Sequence, residues 1–79
     1  MRRLEVDCNF NYLGPAFPAL SQDEVVGFFL TPHEIVVAFQ DEDEWEGEVL
    51  FDPSLPELYR WYVKIDIKRK AVSSGETPR

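Results

Sequence analysis

The sequence predicts a mainly β fold, a small antiparallel meander of about five strands curled into a barrel or sandwich, with a short helical or 3-10 turn near residues 54–59. Three stretches carry that prediction. Residues 3–12 alternate Leu4, Val6, Cys8, Phe10 and Tyr12 against Arg3, Glu5, Asp7, Asn9 and Asn11, the period of a strand with one wet face. Residues 33–52 form a hairpin pattern: the β-branched and aromatic run Ile35-Val36-Val37-Ala38-Phe39, then an arm that sets Trp45, Gly47, Val49 and Phe51 against Glu46, Glu48, Leu50 and Asp52. In residues 60–68, Trp61, Val63, Ile65 and Ile67 alternate with Tyr62, Lys64, Asp66 and Lys68.

The connections follow from turn chemistry. Leu13 to Ala19 contains Gly14-Pro15 and Pro18, which mark a loop, and Phe17 and Leu20 are placed to anchor it over one end of the core. Ser21-Gln22-Asp23-Glu24 matches a helix capping box, whereas Val25-Val26-Gly27-Phe28-Phe29-Leu30 has strand composition. A strand over 25–30 is the expectation, and an α+β fold with a helix at 22–30 the alternative. Thr31-Pro32-His33-Glu34 reads as a turn, although Pro at N1 and Glu at N3 would also open a helix. Asp52 to Tyr59 holds two prolines and has room for a single helical turn. Residues 1–71 make one small domain, and residues 72–79 read as a disordered polar tail.

A chain of 79 residues buries only about 60 to 65% of the surface its unfolded form exposes, so nearly every large apolar residue is needed inside. With 44% hydrophobic and 14% aromatic residues it has enough of them. The single cysteine, Cys8, cannot close an internal disulfide, and small domains of oxidising compartments are usually bridged; the expected location is a reducing cytoplasm. Met1-Arg2-Arg3 is basic, but Glu5 and Asp7 follow at once, so no targeting segment is expected. The longest apolar run, Val25 to Leu30, falls far short of the roughly 20 residues that cross a bilayer.

The net charge of −7 argues against nucleic acid or an anionic membrane as the ligand and favours a basic protein surface. Charge is unevenly placed. Residues 41–52 hold seven acids and no base, whereas residues 60–70 hold Arg60, Lys64, Lys68, Arg69 and Lys70 against Asp66, which predicts a strongly polarised molecule.

Each candidate site has a plainer reading beside it. Asp41, Glu42, Asp43 and Glu44 offer carboxylates to a calcium ion, but an EF-hand loop begun at Asp41 would put Trp45 at its fifth position and Glu46 where glycine must turn, so no metal is expected. The same acids serve either as a solvated tip or as a docking surface. Glu46 and Glu48 project about 7 Å apart from one strand face, near the separation of catalytic carboxylate pairs; pairing with Lys64, Lys68 or a basic partner is the plainer role. Cys8 and His33 are the one possible thiol–base pair, yet Cys8 falls in the apolar phase of its strand and His33 in a turn. No catalytic residue and no cofactor is expected. Trp45 and Trp61 fit the core, and Tyr62 falls in the outward phase. The candidate partner-binding set is Asp41, Glu42, Asp43, Glu44, Trp45, Glu46, Glu48 and Tyr62.

The segment from Trp45-Glu46 to Trp61-x-Val63-Lys64-Ile65-Asp66-Ile67, about 23 residues, resembles the end of small immunity proteins of bacterial toxin systems, where a Trp-Glu pair after an acidic turn precedes a Trp-x-Val-x-Ile-Asp strand. Those proteins join the two parts by an Asp-Asn-Pro-Gly loop; here Asp52-Pro53-Ser54-Leu55-Pro56 is longer. The resemblance implies a toxin-neutralising binder. Together these readings predict a non-enzymatic inhibitor or immunity module that docks its acidic hairpin (41–48) on a basic surface, such as that of a nuclease or nucleic-acid-binding enzyme. The alternatives are a small enzyme or enzyme subunit using Glu46 and Glu48, and a structural module of a larger assembly.

Overall fold

Among the described residues, four strands form one sheet in the order β1-β2-β3-β4, with β1 at Arg2–Glu5, β2 at Ile35–Gln40, β3 at Asp43–Phe51 and β4 at Trp61–Lys70. A computed structural model describes residues 2–70, so the polar tail expected over 72–79 lies outside the described residues. The protein is mainly β, as its alternating stretches predict. The sheet is mixed and open: β1 runs parallel to β2, while β2–β3 and β3–β4 are antiparallel. On the far side of β4 the loop at 16–20 lies extended, accepting at Ala16 O and Pro18 O from Ile65 N and Val63 N and donating from Leu20 N to Trp61 O. Pro18, which lacks an N–H, is tolerated on such an edge.

The strand expected over 3–12 stops after its first half. Leu4 and Val6 are buried, but Asp7 then folds the chain back, its side chain accepting from Asn9 N and its carbonyl from Phe10 N. This Asx-turn gives the backbone a local alternative to the ladder.

The strand expected over 25–30 is a helix, α1, at Gln22–Gly27. Ser21 caps it through a reciprocal box, with Glu24 N donating to Ser21 Oγ and Ser21 N to Glu24 Oε1. Its end is a Schellman motif: Leu30 N bonds Val25 O and Phe29 N bonds Val26 O, so the buried pair Val25 and Leu30 meets across the stop. Arg2 donates to Phe28 O and to Glu34 Oε2 (3.0 Å), supplying the cation that the helix C-terminus lacks in its own last turn. Phe29 takes the left-handed position (φ 54) where glycine is preferred, with 82% of its surface exposed. Thr31 to Glu34 is the expected turn, closed by Glu34 N to Thr31 O, with Pro32 in second place and His33 at φ 73. The short helical turn expected near 54–59 is a 3-10 helix at Glu57–Tyr59.

The inner sheet face carries Leu4 and Val6, Val36 and Ala38, Val49, and Val63 and Ile65, closed over by Leu20, Val25 and Leu30. Gly47 shares this face. A Cβ there would stand 2.5 Å from Val63 Cγ1 and 3.4 Å from Lys64 O, so Val63 packs directly on the glycine backbone.

Two stability predictions follow from these backbone positions. Gly47→Ala should lower unfolding free energy by about 1–3 kcal/mol, the usual cost of overpacking, and the Gly47→Ala/Val63→Ala double variant should lose less than the sum of the singles. Urea titrations of the three variants measure this, and strict additivity would rule the contact out. Phe29→Gly should instead raise stability by about 1 kcal/mol, because it removes left-handed strain from a side chain that buries little. An unchanged or lower melting temperature for that variant would contradict it.

Candidate functional site

The two-residue turn Asp41–Glu42 sets where the acids go. Asp41 has the positive φ (55) that the first central residue of tight hairpin turns requires, and Gln40 pairs with Asp43 immediately beyond it. Asp43 and Glu44 therefore belong to β3, and only Asp41 and Glu42 form the exposed tip.

Strand alternation then divides the acids between two faces. Asp43 shares the inward phase with Gln40, near Cys8, whose N–H donates to Gln40 Oε1 at 3.0 Å. Glu44, Glu46 and Glu48 occupy successive outward positions opposite Phe39, Val37 and Ile35. Each has a local partner: Arg3 Nη2 approaches Glu44 Oε2 at 2.8 Å while its guanidinium lies 4.4 Å over the Phe39 ring, Glu48 Oε2 meets His33 Nδ1 at 2.8 Å, and Glu46 also makes an interaction within the chain. Lys64 stands opposite Glu48 across the β3–β4 ladder. The predicted polarity is thereby tempered, because the acid-rich strand lies beside the base-rich one.

The other candidates disperse. Trp45 faces inward and packs against the core. Tyr62 lies opposite Leu50, one outward position beyond the Glu48–Lys64 pair, with its ring edge-on to Phe17 at 6.2 Å. Burial, aided by the charge of Asp52, pushes its phenol above the ordinary value. Asp52 itself sits in an Asx-turn, where the Ser54 hydroxyl and amide hold its carboxyl below the usual range.

Cys8 and His33 lie at opposite ends of β2, one beside Gln40 and the other two residues before Ile35, roughly 20 Å apart at strand rise. A thiol–imidazole pair is therefore not formed. Burial first, then the charges of Asp7 and Asp43, raise the Cys8 thiol above its ordinary value. Among the described residues, no group of three or more His, Cys, Asp or Glu side chains is arranged to hold a metal ion. No helix among them is long and apolar enough to cross a membrane.

Sequence alternation missed a cleft. Gly47 pairs with Ile65, but Trp45 pairs with Lys70, so two residues of β3 span five of β4 and the strand bows away. Ile67, in phase with Val63 and Ile65, was expected inside and is instead 62% exposed. The opening, about 590 Å³, is lined by Glu46, Gly47 and Glu48 from β3, by Lys64 to Lys68 from β4, and by Ile35. The single hint in the sequence was Gly47, the residue type that marks bulges inside strands.

The thiol gives a direct check. Cys8 should react with a soluble alkylating reagent more slowly than a free thiol at neutral pH, with its rate rising only at higher pH; Asp7→Asn and Asp43→Asn should each shift that profile downward. Fast modification at pH 7 in the folded protein would contradict the site described.

Against known proteins the chain stands apart: no protein-family model, no curated protein and no solved structure matches it.

Proposed function

We propose that this chain is a non-enzymatic protein-binding module of inhibitor or immunity type, which docks its acidic hairpin on a basic surface of a partner such as a nuclease or nucleic-acid-binding enzyme. The observation that carries this reading is the row Glu44, Glu46 and Glu48 on the outward face of the nine-residue strand β3, continued by Asp41 and Glu42 at the turn. Carboxylates on alternate strand residues stand about 7 Å apart, roughly half the linear charge density of one nucleic-acid strand, and the ladder holds them without further ordering. Pre-ordered charge loses little entropy on docking.

The local ion pairs do not oppose such a role. An exposed pair such as Arg3–Glu44 contributes about 0–1 kcal/mol, so a better-placed cation of a partner exchanges with it at small cost. Resemblance of residues 45–67 to immunity proteins supports the same reading, and the lone Cys8 suits a reducing cytoplasm. A second reading, an enzyme working through Glu46 and Glu48, is favoured by the cleft between β3 and β4; it requires water to be excluded from a site that opens to solvent.

The test begins with capture of the partner from the source cell and measurement of its association kinetics. Changing Asp41, Glu42, Asp43, Glu44, Glu46 and Glu48 to Asn or Gln should leave the fold intact. It should slow association by tenfold or more at low salt, and the remaining rate should depend less on ionic strength. Dissociation should also quicken if Glu46 and Glu48 contact the partner directly. Wild-type association kinetics in the folded six-site variant at low salt would leave the hairpin as a solubilising tip and end the proposal.

A further inference from the structure

We propose that the outer edge of β1 is a homodimer interface, where a second copy of this chain pairs its own β1 in antiparallel sense across a two-fold axis at Leu4. The inference goes beyond the acidic hairpin and does not depend on it.

The phase of the parallel ladder defines the edge. Val6 N donates to Phe39 O, so Arg2, Leu4 and Val6 direct their backbone groups to β2, and the alternate residues Arg3 and Glu5 turn theirs outward. Among the described residues, no hydrogen bond reaches the N–H or C=O of Arg3 or Glu5. The opposite edge of the sheet, on β4, is covered by the loop at 16–20. Bare edge backbone of this kind is a template for one more strand.

Charges at an edge ordinarily deter pairing, but the order of charges here complements itself. Outward-bonding residues must meet one another, which leaves three overlapping registers: Arg3 opposite the partner's Arg3, Glu5 opposite the partner's Glu5, or Arg3 opposite the partner's Glu5. Like charges placed directly opposite are destabilising, so the third register is selected, with Leu4 on the axis and two opposite-charge pairs beside it. Each of those pairs also exchanges two backbone hydrogen bonds. Neither side chain gives up a bond: Arg3 uses one guanidinium nitrogen on Glu44, and Glu5 is exposed with no ion pair among the described residues.

Shape repeats the same two-fold. Helix α1 runs alongside β1 in the opposite direction, with Phe28 O receiving Arg2 at one end, while Ser21 and Glu24 join Glu5, Val6 and Phe10 around a hollow of about 270 Å³ at the other. Phe28 and Phe29 stand exposed at the first end. An axis through Leu4 perpendicular to the sheet exchanges the ends, so the exposed phenylalanines of each copy arrive at the hollow of the other. They supply apolar burial that backbone bonds alone do not. The two four-stranded sheets become one, with both acidic rows on the same face about 24 Å apart, five strand spacings.

Sedimentation velocity and amide hydrogen exchange of the full chain supply the test, at physiological salt, where repulsion between copies of charge −7 is screened beyond about 8 Å. The mass should rise from one chain toward two between micromolar and millimolar protein, with the Arg3 and Glu5 amides at least tenfold better protected at the higher concentration. Glu5→Lys and Arg3→Glu should each weaken self-association tenfold or more. An equimolar mixture of the two variants should form a heterodimer, because both cross-strand pairs are then of opposite sign. Glu5→Pro should abolish dimerisation with spectral dispersion kept, since proline there removes only an outward N–H. A chain that stays monomeric at millimolar concentration, a dimer that Glu5→Pro leaves intact, variants that do not recover on mixing, or Arg3 and Glu5 amides already protected in the dilute monomer would overturn the proposal. The last outcome would mean that the edge is covered from within the chain.

Discussion

The register of the β2–β3 hairpin is the constraint on which the rest of the molecule depends. A strand has a side-chain period of two, so a slip of one residue would turn Glu44, Glu46 and Glu48 toward the core and Gly47 and Val49 toward water. Two features hold the register. The connection is only Asp41–Glu42, short enough that one pairing closes it, and Val36 and Ala38 meet Gly47 and Trp45 on the face that must be buried. The acidic row is thus a consequence of core packing: the same alternation that puts Val49 inside obliges the glutamates to line the other side.

That arrangement confines the strongest charges to a strand with neighbours on both sides. β3 makes ladders with β2 and with β4, so its backbone is fixed at both edges, and Arg3, His33 and Lys64 reach its carboxylates or stand opposite them from flanking elements. Repulsion between acids two residues apart is thereby offset locally, at a modest level that salt can screen. Along β4 the regular ladder stops at Ile65, and the next paired residue is Lys70, five positions on and opposite Trp45. The bowed segment from Asp66 onward gives up core burial of Ile67 and leaves an opening beside Glu46.

Much of this was legible in the sequence where one face of a segment is wet and the other dry. The strands from Ile35 to Phe39, from Trp45 onward and over 61–68, and the helical turn near 57–59, follow from alternation and proline placement, whereas Asp43 and Glu44, which look like turn residues, extend β3. Three features followed physics that alternation does not report. Asn and Asp at 7–11 interrupt the pattern with a turn, from which Cys8 still packs against the core while Phe10 packs on the Tyr59 ring and Tyr12 is exposed. At 21–30 the capping box outweighed β-branched composition, because one turn and a half of helix need bury only Val25 before the Schellman stop returns Leu30 to the core. The parallel pairing of β1 with β2 joins residues more than thirty apart, and no local pattern announces it. The register break escaped for a related reason: Trp61, Val63, Ile65 and Ile67 alternate without a fault, and only the partner strand reveals that Ile67 has left the ladder.

Among the described residues, the three non-glycine positions with left-handed backbone, Phe29, His33 and Asp41, show where the chain accepts strain and what holds it. Each lies at a reversal whose ends are held by hydrogen bonds or strand pairing, local at Phe29, between α1 and the buried Leu30, and at Asp41, between the paired residues Gln40 and Asp43, and non-local at His33, whose own N–H meets Val49 O at 2.6 Å. Conformations of this kind cost roughly 1–3 kcal/mol each and persist when surrounding structure over-determines them. In a domain this small, with total stability on the order of 5–10 kcal/mol, that is a substantial share. Two of the three strained positions, His33 and Asp41, bracket β2 and border the carboxylate row, His33 through its contact with Glu48 and Asp41 as the charged apex. The strain therefore falls at the two ends of the face proposed to bind, where it fixes the direction of the hairpin and the orientation of its outermost acids.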